Sequence, residues 1–266
     1  MTPAAIGTRV LIGLVVGILV GLTGVGGGIL LLPILTSVLG VTPIVAVGSD
    51  AVVNCVTKIG AGFVHWRRGN INWRLIALLL SGSVPGAILG VFVLTLLHAR
   101  HGEGVNYFLK IVIAILLIVI PIVSLLVRGS STSNPVPTHP RRAKDEWGIA
   151  LIGFVVGGLV GVTSIGSGTV TLMLLLVFYG YAPAVLVGSD VVHALLLTAV
   201  TALLQMKLGN VDYPLVGYVL IGSIPGGVIG AYIANRIPSK RLKQILFVAL
   251  ITFGTRMFWA GIVHGQ

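Results

Sequence analysis

The chain has 266 residues, 56% hydrophobic and only 9% charged, with a mean hydropathy of +1.09. That composition excludes a soluble globular domain and predicts an all-α polytopic membrane protein. The net charge of +11 lies in loops at helix ends rather than on an aromatic-studded face, so it reports orientation in the bilayer and argues against a nucleic-acid partner.

In chain order, apolar runs predict helices over about 5–22, 29–39, 44–64, 74–97 and 106–127. The first run has no small-residue cleavage pattern and reads as a membrane segment rather than a removed signal. A stretch rich in Ser, Pro and charge, 128–146, lacks apolar periodicity and reads as a linker between an N-terminal repeat, 1–127, and a C-terminal repeat, 147–266. Helices over about 147–162, 169–181, 184–206, 213–234 and 241–262 follow. The lone cysteine, Cys55, falls inside an apolar span and excludes an internal disulfide.

Between the first two runs stands G-L-T-G-V-G-G-G-I-L-L-L-P, Gly21 to Pro33. Gly24, Gly26, Gly27 and Gly28 predict a broken helix at membrane depth, with a new helix from Ile29. The free N–H groups and dipole of a helix N-terminus there favour an anion. The pattern returns at Gly161 to Gly168 as G-V-T-S-I-G-S-G. With Gly21 laid on Gly161 the halves superpose without a gap from Gly13 to Gly90, and about 29 of those 78 positions are identical. Gly48-Ser49-Asp50 falls on Gly188-Ser189-Asp190, and Gly82-Ser83-x-Pro85-Gly86 on Gly222-Ser223-x-Pro225-Gly226. Glycines four apart in both copies predict close helix packing.

The 29–39 run reaches only about 16 Å at ~1.5 Å per residue, roughly half the hydrocarbon core. Each copy therefore reads as a glycine-tipped re-entrant or short-helix pair followed by three transmembrane helices. Counting Lys and Arg in the loops puts eleven on the side that receives the linker and four on the other, which makes the linker cytoplasmic and both termini periplasmic. An odd number of crossings per copy makes the repeats inverted, a secondary-transporter plan. A cysteine placed at Ser131 is accordingly expected to resist labelling from outside intact cells, and labelling there would reverse this orientation.

The candidate substrate-binding residues are Thr23, Gly24, Gly26, Gly27, Gly28, Thr163, Ser164, Gly166, Ser167, Gly168 and Thr169, which offer backbone N–H groups and hydroxyls to an anion. A carboxylate inside an apolar helix is costly, so Asp50 and Asp190 read either as proton carriers or as braces of the glycine tips. Asp50, Asn54 and Lys58 share one helix face, and Lys58 can pair with Asp50, meet an anion or snorkel outward. His193, one turn after Asp190, makes a candidate proton-titrating pair. His98, His101 and Glu103 lack a fourth ligand, so no metal site, and no cofactor, is expected.

With these motifs in place the sequence resembles the sulfite exporter TauE/SafE family of membrane permeases. The resemblance rests on G-V-G-G-G-x-x-x-x-P at Gly24 to Pro33, S-I-G-S-G at Ser164, H-W-R-R-G-N-I-N-W-R at His65 to Arg74, and G-N-V-D-Y at Gly209. It implies export of a small sulfur-containing anion (sulfite, sulfoacetate, thiosulfate or a related organosulfonate) across the bacterial inner membrane. It implies no enzyme activity. Met173 stands where the first tip has Pro33, so the half-sites are expected to differ. Protons are the candidate coupling ion, the lipid bilayer the surrounding partner, and a homodimer a candidate assembly. A passive anion channel is one alternative, distinguishable by whether transport depends on a pH gradient. An intramembrane aspartyl protease using Asp50 and Asp190 is another. In inverted copies, though, their depths differ by roughly 12 Å, too far for a dyad sharing a proton.

Overall fold

The computed structural model describes residues 3–23, 27–69, 71–129, 146–168, 170–172, 174–175, 183–233 and 239–263. The regular structure among them is all helical: α1 (Pro3–Thr23), α2 (Gly28–Ser37), α3 (Pro43–Arg67), α4 (Trp73–His101), α5 (Gly104–Gly129), α6 (Glu146–Thr163), α7 (Pro183–Lys207), α8 (Tyr213–Ile233) and α9 (Ser239–Val263). Residues 170–172 and 174–175 are also helical. Among the described residues seven helices, α1 and α3 to α8, are long and apolar enough to cross a membrane. The ten residues of α2 cover only about 15 Å. The first pair thus has unequal legs: α1 is long enough to span the core and α2 is not.

The helix ends follow from local chemistry. Pro43 occupies the first turn of α3, where its missing N–H has no intrahelical partner to lose. Gly69 and Gly209, just past α3 and α7, take the left-handed conformation that closes a helix (φ +68° and +74°). The next helices start on matched caps: Asn72 Oδ1 accepts from the Leu75 N–H at 3.1 Å, and Asp212 Oδ1 from the Leu215 N–H at 3.0 Å.

The halves interlock rather than sit side by side. Along α1, Gly13, Gly17 and Gly21 meet the backbone of α8 at Val219, Ser223 and Gly227. Along α6, Gly153, Gly157 and Gly161 meet α4 at Leu79, Ser83 and Ala87, the equivalent contacts with the roles of the two copies exchanged. Both seams ascend together, so each pair runs parallel. By contrast, Gly62 of α3 faces Val192 and Leu195 of α7 while Gly48 abuts Asn210, just past the end of α7. The equivalent helices α3 and α7 therefore run antiparallel. Two hydrogen bonds repeat the exchange: Ser49 Oγ accepts from the Asp212 N–H at 3.0 Å, and Ser189 Oγ from the Asn72 N–H at 2.8 Å.

The main core forms around α2, whose Ile29 to Leu32 and Leu35 are buried against α3 and α9, in one cluster that includes residues of α5. Large apolar side chains such as Phe92, Leu151 and Val228 cover the outside (60%, 64% and 68% exposed), as a lipid-facing surface requires.

Candidate functional site

The second glycine break is described almost in full. α6 ends at Thr163, whose hydroxyl donates to the Leu159 carbonyl at 2.7 Å and accepts from the Ile165 N–H at 3.2 Å. Ser164 then turns left-handed (φ +57°), and Gly166 and Gly168 both sit at φ +117°. Only glycine takes these last two conformations without strain. The chain becomes helical again past Gly168, whose carbonyl accepts from the Leu172 N–H at 3.0 Å. Thr163, Ser164, Ile165 and Ser167 are all buried. Thr169 lies outside the described residues, as do Gly24 and Gly26 of the first break. Thr23 is the last residue of α1, and Gly27 caps α2 with Gly28 as its first residue.

The two breaks meet on α3. The fully buried Asp50 accepts at Oδ2 from Ser164 Oγ of the other half at 2.7 Å and from Asn54 Nδ2 at 2.8 Å. Gly28 packs onto the same carboxylate, since a Cβ there would lie 2.8 Å from Asp50 Oδ2 and 2.9 Å from the Ser164 carbonyl oxygen. One turn beyond Asn54, Lys58 Nζ donates to Ser167 Oγ at 2.9 Å. Its ammonium interacts electrostatically with both Asp50 and Asp190. Asp190 sits on its own break, with its Oδ2 3.5 Å from where a Gly168 Cβ would stand. Each carboxyl keeps one oxygen, Oδ1, with no hydrogen-bond partner among the described residues.

The structure thus gathers Gly27, Gly28, Asp50, Asn54, Lys58, Ser164, Ser167, Gly168 and Asp190 where the halves cross. His193 is set differently from the expected pair with Asp190. Its Nε2 lies 2.9 Å from Ser83 Oγ of α4, no hydrogen bond joins it to Asp190, and its Nδ1 has no partner among the described residues. Ser83 carried a sequence signal only as part of G-S-x-P-G, which reads as a packing motif. Likewise the serines of both G-S-D motifs tie one half to the other. Chemically, two carboxyls and one ammonium can swing the net charge from minus one to plus one by taking up two protons, with hydroxyls at hand as donors.

The chain matches the model of the family described as "Sulfite exporter TauE/SafE" over residues 10–257. It is 38% identical over 251 residues to the probable membrane transporter protein YjnA of Bacillus subtilis, covering 93% of this chain and 98% of that one. It is 26% identical over 273 residues to the probable membrane transporter protein YunE of the same organism, covering 95% and 97%. A probable membrane transporter protein of Methanocaldococcus jannaschii is 27% identical over 261 residues, covering 93% of each. No solved structure matches. Seven helices fit to cross a membrane and a family match over nearly the whole length lead to one assignment: the chain is a multi-pass membrane protein of the sulfite exporter TauE/SafE family of transporters.

Proposed function

We propose that the chain is a secondary transporter that exports a small sulfur-containing anion (sulfite, sulfoacetate, thiosulfate or a related organosulfonate) from the bacterial cytoplasm and couples export to protons. The observation that carries this reading is the bond from Lys58 Nζ to Ser167 Oγ, which brings a cation of one half to the glycine break of the other. The anion sits between the breaks, on N–H groups at Gly27 and Gly28 and at Gly166 to Gly168, since those of Ser164 and Ile165 already bond the Val160 carbonyl and Thr163 Oγ1, with Lys58, Ser164 and Ser167 reorienting toward it. An inverted placement of the repeats, with periplasmic termini and a cytoplasmic linker, is supported by the antiparallel run of α3 and α7 and by the loop charges.

Electrostatics gives the reason for protons. An anion about 4 Å from one ionised carboxylate is opposed by ~4 kcal/mol at an effective dielectric of about 20. That is close to a thousandfold in affinity. Protonating Asp50 or Asp190 removes the opposition, so the affinity of the site for the anion follows its protonation state. In proteoliposomes Asp190→Asn is expected to abolish sulfite accumulation driven by a pH gradient while sulfite binding survives. If Asp190 only braces the break, binding and thermal stability fall together instead. Unchanged transport and stability would contradict both roles.

A further inference from the structure

Helix α7 carries more buried polarity than the site needs. Asp190, His193, Thr198, Thr201 and Gln205 are each at most 2% exposed. At about 100° per residue, Asp190, Thr198, Thr201 and Gln205 fall within an arc of roughly 80°, and His193 stands beside Asp190 at its edge. At ~1.5 Å per residue the stripe runs for about 22 Å, most of a ~30 Å hydrocarbon core. At its far end it opens, since residues 206–209 are exposed.

The groups along it retain hydrogen-bonding capacity. Thr198 Oγ1 donates to the Ala194 carbonyl at 2.7 Å and Thr201 Oγ1 to the Thr198 carbonyl at 3.1 Å, which leaves the lone pairs of both hydroxyls. Gln205 Oε1 accepts from Asn210 Nδ2 at 2.8 Å, while Gln205 Nε2, His193 Nδ1 and Asp190 Oδ1 have no partner among the described residues. Unmatched polar atoms inside a membrane protein cost free energy, and ionisable residues buried there mark paths for ions or protons.

The duplication does not repeat this stripe. The counterparts of His193, Thr201 and Gln205 on α3 are Val53, Ala61 and His65, and that of Thr198 is Lys58. The hydroxyl at 201 is therefore particular to the second copy, where it is buried, whereas its counterpart Ala61 is exposed.

We infer that the buried stripe from Gln205 through Thr201, Thr198 and His193 is the route by which protons reach Asp190 from the membrane face where α7 ends. The inference rests on proton coupling as proposed above. The charged group facing Asp190 is Lys58 of α3, with Asp50 beyond it. From α4 the stripe meets Ser83, while the ionisable residues of that helix, Arg74, His98, Arg100 and His101, lie at its ends. The ionisable residue of α6, Glu146, is at that helix's start and paired with Arg74. The stripe thus gives Asp190 a connection to one surface while Lys58 holds the other side of the site.

The test compares Thr201→Ala, Gln205→Leu and their combination with the wild-type chain in liposomes, using sulfite as the probe. Thr201→Ala removes one hydroxyl and puts a strong helix former in its place, so the helix is expected to accept it. The expected result is unchanged sulfite binding, melting temperature and sulfite exchange at equal pH. Accumulation driven by a pH gradient, and the accompanying proton flux, should fall roughly a hundredfold in the double variant, the scale lost when a positioned proton carrier is removed. Thr201→Ser should restore the flux. Retained proton-driven accumulation in the double variant would overturn the route. So would equal loss of exchange at matched pH, which would make the stripe a substrate path or a brace. A wild-type chain that moves no protons with sulfite would overturn the coupling itself, and that failure is recognisable because it precedes any substitution.

Discussion

Gly157→Val is expected to lower the thermal stability of the solubilised protein severely, while the neighbouring Gly158→Ala leaves it nearly unchanged. A Cβ at position 157 would overlap the Ser83 carbonyl oxygen and stand 2.6 Å from the Ser83 Cα, so backbone rather than a movable side chain obstructs it. At Gly158 the nearest atom, the Gly86 carbonyl oxygen, is 3.8 Å away, an ordinary contact. Overpacking a side chain into a core typically costs about 1–3 kcal/mol, and pushing apart two backbones along a seam should exceed that range. Gly17→Val, facing the Ser223 backbone in the equivalent seam, is expected to do equal damage. The check is a melting curve for all three variants in one detergent. A Gly157→Val protein that melts with the wild type would mean the α4–α6 contact is looser than described.

The second large effect concerns binding. Gly28→Val and Gly166→Val are each expected to weaken sulfite binding by at least about two orders of magnitude, or ~3 kcal/mol. The reasons differ. At Gly28 the new atoms fall onto Asp50 Oδ2 and the Ser164 carbonyl, prising apart the place where the halves meet. At Gly166 there is space, the nearest atom being 3.8 Å from a Cβ, but the backbone stands at φ +117°, which a β-branched residue resists. Gly166→Ala, with the same dihedral demand and less bulk, separates strain from crowding. Calorimetric titration with sulfite reads the outcome on variants whose melting remains cooperative. Wild-type affinity in both valine variants would remove the anion from the breaks.

Hydropathy alone made the all-helical, multi-spanning class legible, because long uncharged runs have few other stable forms. The family was legible from the glycine motifs. Which side chains meet was not. Periodicity placed Asp50, Asn54 and Lys58 on one face of α3, but nothing local to those residues selects Ser167, in the other half of the chain, as the partner of Lys58. The one-turn spacing of Asp190 and His193 suggested a pair, yet the imidazole turns to Ser83 on another helix. The duplication identifies equivalent positions, but not that Ser49 bonds the segment opening α8 while Ser189 bonds the one opening α4. Such contacts are decided by how the halves cross, which is a property of both together.

The reciprocal seams also set the order in which the chain can mature. Among the described residues the glycines of α1 meet α8, and most of the chain, from Thr23 to Tyr213, is synthesised between the two. At roughly 5–20 residues per second, the first helix waits on the order of 10–40 seconds in the bilayer with that face uncovered. α4 waits for α6 more briefly. During that interval a nascent first half offers the same faces to a second half emerging from a neighbouring ribosome, and two chains could close around each other as an exchanged dimer. Synthesis rate and chain crowding at the membrane would then govern the yield of correctly closed single chains, independently of how stable the finished protein is.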